Sequence, residues 1–209
     1  MSLIIRSNIR KHKRIIFNGN NYTDEWVKEA KSRGLLNLSC TVEALPEYIK
    51  EKNIVLFEKH SVLKSKEVHS RCEILLENYC KVVRIEALTM IEIIKKSIIP
   101  ALVNYQKDLL GIVSSKKELN LDLNSDLEFG VLSKISKLSY SLNKSLEELE
   151  SSVLEVKSLE NVFTASKFYR ESVFMNILKT RIIIDELETI VSKNYWPFPT
   201  YGEILYSAN

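Results

Sequence analysis

The clearest pattern along the chain is a series of apolar residues that recur every three or four positions over three long stretches. This spacing places the residues of each stretch on one face of a helix. The first stretch begins at Ser65 and runs to about Val113. Its apolar positions are Val68, Cys72, Leu75, Leu76, Tyr79, Val82, Val83, Ala87, Met90, Ile94 and Ile98. Pro100 lacks an amide proton and clashes with the preceding turn, so we expect a kink near Lys96 to Ile99 and not the end of the helix.

Two further stretches follow with the same periodicity. The second approaches a heptad seam through Val131, Ile135, Leu138, Leu142, Leu146, Leu149, Val153 and Val156. After a bend near Asn161 to Ser166, the third runs to Lys193 and is expected to bury Phe168, Phe174, Ile177, Leu178, Ile184, Leu187 and Val191. Short links between long helices make neighbours antiparallel. The pattern therefore predicts an all-α fold, an up-down bundle of three long helices.

The first 60 residues predict only short helices. Residues 4–16 have a weak helical pattern, and a second helix follows Thr23 and ends at Gly34. Thr41 is a candidate N-cap for the next helix. Residues 41–60 contain Pro46, which belongs in a first turn or at a break, so this range predicts two short helices.

The chain ends in a segment of a different kind, residues 194–203, which holds four aromatic residues, two prolines and a glycine. A Pro-x-Pro pair cannot continue a helix and has few unfolded conformations to lose. Such a segment is suited to docking on a prepared surface, in this chain or in a neighbour. Its spacing differs from that of PxxP ligands, which favours an intramolecular clamp. We predict Trp196, Phe198 and Tyr201 as the docking or interface anchors, because clamped aromatic rings bury much area at a small entropic cost.

Composition fits a globular protein. The chain has 209 residues, of which 45% are hydrophobic and 27% charged, and its five glycines and four prolines are few. No apolar run approaches the length of a membrane span and the N-terminus lacks an apolar signal region, so we predict a cytoplasmic protein with no membrane partner. Cys72 and Cys80 lie eight positions apart, about 12 Å along a helix, which is too far for a disulfide.

Charge is unevenly distributed. Residues 1–14 hold five cations and no acid, and the remaining 25 basic residues face 27 acidic ones. The body of the protein therefore lacks the positive field that nucleic acid requires, and we predict no nucleic-acid partner. A solvated helix face, or a contact with a missing partner, explains the basic run from Arg10 to Arg14 better than a phosphate site does.

No candidate for catalysis or metal binding emerges from the residues. Di-iron bundles use Glu-x-x-His, but Ile9, Phe57 and Lys66 stand three positions before the three histidines. The ligand-type residues His69, Cys72, Glu73 and Glu77 share a helix face, but local packing and surface ion pairs account for them. There is no Gly-x-Ser-x-Gly and no phosphate-binding glycine loop. We therefore predict no catalytic, cofactor-binding or metal-binding residue in this chain.

Three segments together resemble one family. They are Ile16 to Trp26 (IFNGNNYTDEW), Leu56 to Met90 (with LFEKH, HSRCEILLENY and IEALTM) and Tyr195 to Gly202 (YWPFPTYG). In this order they resemble the C-terminal region of type III glutamine synthetases, the large bacterial form. The similarity covers about residues 11–205 and is weakest over 111–165. Asn21 departs from the family pattern, which has a glycine in this turn.

The resemblance implies a parent ligase that makes glutamine from glutamate and ammonia with hydrolysis of ATP. It implies ATP and divalent metal ions, Mg or Mn, for that parent, and assembly from hexameric rings. The catalytic residues of the family lie upstream of the matched region, so the resemblance implies a fragment that lacks the catalytic core. Residues 1–37 would be the tail end of the catalytic domain, and residues 38–209 the helical C-terminal domain. The partners would be the missing catalytic domain and other subunits, and the role would be subunit packing or assembly.

An alternative stays open at this point. The chain could be a free-standing helical interaction module that dimerises through the coiled-coil seam Val131 to Val156. An independent enzyme is a third possibility, which would require glutamine formation by this chain alone.

Overall fold

The computed structural model describes residues 2–13, 16, 18–119 and 123–206, with the side chains of Ser2 and Tyr201 outside that description. Throughout the described residues, the regular secondary structure is helical and includes no strand. The predicted all-α fold is confirmed. The chain divides into two compact units, residues 1–68 and residues 69–209.

The first unit contains four short helices. They are α1 (Ser2–Lys11), α2 (Asp24–Ser32), α3 (Thr41–Tyr48) and α4 (Glu51–Lys59). Gly34 follows α2 with a φ of 73°, the left-handed conformation expected of a glycine after a helix end. Thr23 precedes α2, but its hydroxyl donates to the carbonyl of Asn20 and does not cap the helix. The expected short helices are present, and the residue at the N-cap of α3 is Cys40 where Thr41 was predicted.

The first long helix consists of α5 (Ser65–Ile93), a π-helical turn (Ile94–Ile98) and α6 (Ile99–Glu118). The π-turn lies where the sequence predicted a disturbance by Pro100. In the wider turn the amide of Ile99 donates to the carbonyl of Ile94, five residues back. A π-turn immediately before Pro100 accommodates the missing amide and the bulky ring, since both disturb an α-helical ladder. The helix therefore continues past the proline, as expected.

The second long helix is α7 (Asp126–Glu155), which ends in a 3₁₀ turn (Val156–Ser158). The third consists of α8 (Val162–Phe168), a π-helical turn (Tyr169–Val173) and α9 (Phe174–Ile190). Between them the backbone is extended at Leu159, and the side chain of Asn161 accepts from the amides of Phe163 and Thr164 at 2.9 and 3.1 Å. The interruption at 156–161 thus precedes the predicted bend, and an asparagine cap starts the third helix.

Cross-helix contacts show that the long helices are antiparallel. Lys116 pairs with Glu128 at 2.6 Å close to the first connection, whereas Lys95, much earlier, pairs with Glu150 near the far end of α7. On the other side of α7, Lys134 pairs with Glu186 at 3.2 Å. The amide of Asn176 donates to the carbonyl of Glu148 at 3.3 Å. Because α7 packs against both α6 and α9, it is the shared member of the predicted bundle of three long helices.

Two apolar clusters form the core of the second unit. The larger contains Ile94, Ile98, Leu102, Leu109, Ile135, Leu142, Leu146, Ile184, Leu187 and Val191. The smaller contains Val83, Ala87, Leu149, Val153, Val156, Tyr169 and Val173. Both draw on the seam of α7, so that seam is buried within the chain. The alternative of a dimer through Val131 to Val156 therefore loses the exposed surface it requires.

Some predicted core positions lie outside the core. Leu75, Val82 and Leu178 are exposed, although the periodicity of the sequence included them. The apolar face of each helix is wider than the area that the neighbouring helices cover. The three- and four-residue spacing therefore also includes positions at the edge of that face, which stay exposed. Thr180 and Ser145 are the opposite case, since both are polar and buried.

These two hydroxyl groups form a hydrogen bond across α7 and α9. Their oxygen atoms are 2.6 Å apart, and the hydroxyl of Thr180 lies 2.8 Å from the carbonyl oxygen of Asn176. Since Thr180 donates its only proton to that carbonyl, Ser145 donates to Thr180. Both groups are therefore satisfied in a buried site, where an unpaired hydroxyl is costly.

This bond makes a stability prediction. Thr180→Val keeps the shape of the side chain but leaves the Ser145 hydroxyl without its acceptor, so the free energy of unfolding should fall by about 1–2 kcal/mol. Thr189 is the matched control, because it makes the same local bond to a backbone carbonyl on the exposed side of α9. Urea denaturation of both variants measures the difference. Equal losses for Thr180→Val and Thr189→Val would show that the cross-helix bond contributes nothing.

Candidate functional site

The C-terminal tail, residues 191–206, is the segment on which the sequence places its candidate site. It leaves α9 at Val191, where the backbone becomes extended. The amides of Tyr195 and Trp196 both donate to the carbonyl of Ser192, at 2.9 and 3.1 Å. This turn redirects the chain from the end of the third long helix. A short helix, α10 (Tyr201–Tyr206), follows the two prolines.

Tyr195 connects the tail to the first long helix. Its ring lies 5.1 Å from that of Tyr105, at an interplanar angle of 42°. Its hydroxyl donates to the carboxylate of Asp108. This hydrogen bond raises the pKa of Tyr195, because ionisation of the phenol would remove the donated proton beside a negative charge. The tail thus spans from α9 to α6.

Trp196 and Phe198 follow on the same tail. Trp196 is half-buried against the larger apolar cluster, and its ring lies 6.4 Å from that of Phe198 in an edge-on arrangement. The indole nitrogen of Trp196 is buried and has no hydrogen-bond partner in the described part of the chain. Phe198 is 39% exposed. The two rings therefore contribute unequally to the attachment of the tail, and Trp196 contributes more.

Polar groups secure the far end of the tail. The carboxylate of Glu203 lies 2.8 Å from the ammonium of Lys193 and accepts from the amide and hydroxyl of Thr200 at 2.7 and 2.9 Å. The amide of Glu203 donates in return to the hydroxyl of Thr200. This is a capping box at the start of α10. The hydrogen bond to Lys193 is the largest cause of a lowered pKa at Glu203. Together with the bonds to Thr200 it lowers this pKa to about 2.

An apolar groove lies next to the tail in the second unit. It has a volume of about 680 Å³ and is lined by the first and third long helices together with tail residues. Its apolar lining includes Ile85, Met90, Ile94, Ile177, Trp196 and Phe198. The π-turn contributes Ile94 and Ile98 to this lining, so the irregular turn before Pro100 shapes one wall of the groove.

The predicted anchors are therefore placed as follows. Trp196 and Phe198 lie together at the groove, whereas the side chain of Tyr201 lies outside the described part of the structure. Sequence reasoning missed Tyr195 and its partner Asp108. Tyr195 belongs to the same aromatic segment and could have been chosen, but Asp108 stands 87 positions away with no local signal.

The described residues contain no group of three or more histidine, cysteine, aspartate or glutamate side chains that could hold a metal ion. The three cysteines are free thiols, and burial raises the pKa of Cys72. No helix within the described ranges is both long enough and apolar enough to cross a membrane. The described residues of the tail and the groove therefore offer an apolar surface to which the tail is attached.

Comparisons with known proteins agree with this picture. A family model described as the glutamine synthetase C-terminal domain matches residues 1–117. The glutamine synthetase of Butyrivibrio fibrisolvens is 39% identical over 207 residues, which are 98% of this chain and 29% of that protein. The type-3 glutamine synthetase of Dictyostelium discoideum is 33% identical over 207 residues, which are 97% of this chain and 28% of that protein. The glutamine synthetase of Bacteroides fragilis is 29% identical over 213 aligned residues, which cover 98% of this chain and 28% of that protein.

The chain thus spans less than a third of the length of these relatives, although nearly all of it is matched. The matched family model covers α1 to α6, and the relatives extend the match over α7 to the tail. The resemblance seen in the three sequence segments is confirmed. The chain belongs to the glutamine synthetase C-terminal domain family.

Proposed function

We propose that this chain acts as the helical C-terminal part of a type III glutamine synthetase that condenses glutamate and ammonia with hydrolysis of ATP in the cytoplasm. The observation that carries the proposal is the match of 98% of this chain to 29% of a glutamine synthetase. The remaining part of such a protein would supply the catalytic groups and bind ATP and Mg or Mn. The boundary at residue 37, between the end of a catalytic domain and a helical domain, is part of the proposal.

The contribution of this chain is packing and not chemistry. The described histidine, cysteine and carboxylate side chains form no metal-binding group, and the buried hydroxyls of Ser145 and Thr180 bond to each other between α7 and α9. The best-developed feature is a tail that strengthens the contact between the third and first long helices. A rigid bundle with exposed apolar surface suits the support of subunit packing or assembly.

The direct test uses the longer synthetase that would contain this sequence. Its oligomeric mass and its rate of glutamine formation are compared with those of a version that lacks residues 195–209. We expect the assembly to be weakened by the deletion. Glutamine formation by the 209-residue chain alone would contradict the proposed division of labour, and so would an unchanged oligomer together with an unchanged melting temperature.

In the 209-residue chain, removal of residues 195–209 should lower the melting temperature. Loss of the half-buried Trp196 alone removes about 1–2 kcal/mol of apolar burial, which corresponds to roughly 2–8 °C for a chain of this size. Trp196→Ala should therefore reproduce a large part of the effect of the deletion. Tyr22, which is 99% exposed, is the control position, and Tyr22→Ala should leave the melting temperature unchanged. A deletion that behaves like Tyr22→Ala would refute the structural role of the tail.

The capping box predicts a pH dependence. The pKa of Glu203 in the folded chain lies below its ordinary value of 4.5. The ionised carboxylate therefore contributes fully to the free energy of unfolding above pH 4.5, and this contribution is lost as the pH falls towards about 2. The melting temperature of Glu203→Gln should lie below that of the parent chain at pH 6, and the difference should shrink between pH 4.5 and 2. Glu160→Gln, at an exposed position, serves as the control. A difference that stays constant across this range would rule out the ionised carboxylate as its source.

A further inference from the structure

The apolar groove beside the tail has the size and the lining of a small-molecule site. Its volume of about 680 Å³ falls within the roughly 300–1,000 Å³ that ligand pockets occupy. Most of the side chains that line it are aliphatic or aromatic. The charged and hydroxyl-bearing ones are Glu86, Thr89, Arg181 and Glu188. Such a surface accommodates the apolar part of a ligand, and the few polar side chains determine which ligand fits.

The charge of this lining is negative. Glu86 and Glu188 are exposed, and neither forms an ion pair with another described residue. The guanidinium of Arg181 already lies 2.6 Å from the carboxylate of Asp185. Two carboxylates therefore have no described cation as a partner, and this favours a positively charged ligand over a negatively charged one.

One end of the groove adds two aromatic rings to a carboxylate. Trp196 packs against the larger apolar cluster, which contains Leu187, the residue before Glu188. The rings of Trp196 and Phe198 line the groove with their centroids 6.4 Å apart and their planes at 68°. A cation is attracted to the face of an aromatic ring, and quaternary ammonium groups are recognised in this way. This end of the groove thus offers a positive group a counter-charge and a pair of rings.

The opposite end of the groove has a carboxylate and, among the described residues that line it, no aromatic ring. Glu86 precedes Ala87 of the smaller apolar cluster, against which Ile177 also packs. Glu188 stands eleven positions after Ile177, about 16 Å farther along the third long helix. The two carboxylates are therefore at different ends, and a ligand head bound at one of them is distant from the other.

We propose that the groove binds an organic ammonium ion with an apolar tail. The positive head lies between Glu188 and the rings of Trp196 and Phe198, and the tail lies along the aliphatic floor towards Ile177. The indole nitrogen of Trp196 is buried, so this ring offers its carbon surface to the groove and not a hydrogen bond for an anion. The inference goes beyond the proposed role in packing and does not depend on it.

Octyltrimethylammonium is the probe, because its quaternary head stays charged at every pH and carries an aliphatic tail. Calorimetric titration of the 209-residue chain compares it with octanol and octanoate, whose heads are neutral and negative, all below the concentrations at which they aggregate. One cation should bind per chain, with a Kd about threefold or more below that of octanol, and octanoate should bind more weakly still. Hexyltrimethylammonium, two methylenes shorter, should bind about tenfold more weakly than the octyl probe.

Substitutions locate the head of the ligand. Glu188→Gln removes the counter-charge, and Phe198→Leu removes one ring at a partly exposed position while it keeps an apolar side chain. Each should raise the Kd of the octyl cation by about threefold to fivefold and leave that of octanol nearly unchanged. Glu86→Gln is the matched control, since the same change at the opposite end lies beyond the Debye length of about 10 Å in 0.1 M salt. Circular dichroism checks that every variant is folded.

Three results would overturn the inference. They are the absence of saturable binding of the octyl cation, binding of octanol or octanoate as tight as that of the cation, and a loss of affinity in Glu188→Gln no larger than that in Glu86→Gln. None of them bears on the proposed function, which is tested by the oligomeric mass and activity of the longer synthetase and by the tail deletion. The groove inference therefore fails or holds separately from the proposed function.

Discussion

The burial of one helix between two others is the interaction on which the rest of this structure depends. α7 contributes Ile135, Leu142 and Leu149 to the two apolar clusters, and these three side chains are almost completely inaccessible to water. Burial of a leucine or isoleucine side chain contributes roughly 1.5–3 kcal/mol each. Among the described helices, no other long helix packs against α6 or α9 as extensively as α7 does. Both are therefore held in place through α7. The groove and the attachment of the tail follow from the separation that α7 imposes on its neighbours.

Periodicity predicted the helices because the backbone bonds of a helix are local and its buried face recurs at a fixed spacing. The irregularity before Pro100 was predictable for the same reason. The proline ring acts on the preceding turn of the helix, and the π-turn lies there. The pattern was less informative about the width of the buried face. Whether Leu75 or Val82 is covered depends on what packs beside α5, and that information is not contained in the stripe itself.

The candidate site was only partly predictable for a related reason. Rigid prolines and clustered aromatic rings mark a docking segment within ten residues of sequence, and this local signal is strong. The receiving surface has no such signal. Asp108 and Tyr105 lie on α6, far from Tyr195 in sequence, and only the antiparallel return of α9 brings the tail to them. The hydrogen bond between Ser145 and Thr180 was missed for the same reason. Each residue is a polar position on an apolar helix face, and the sequence does not show that the two hydroxyls meet across α7 and α9.

The forces that hold the tail are of two kinds with different strengths. The pair of Lys193 and Glu203 is exposed, and such pairs contribute little because water screens them and two flexible side chains must be ordered. The ring of Trp196 removes apolar surface from water at the edge of the core and needs no ordered partner charge. The tail is therefore held mainly by its aromatic residues, while the capping box sets the direction in which α10 leaves. Trp196 and Phe198 also line the groove, so the tail that Trp196 attaches to the core forms part of the groove wall.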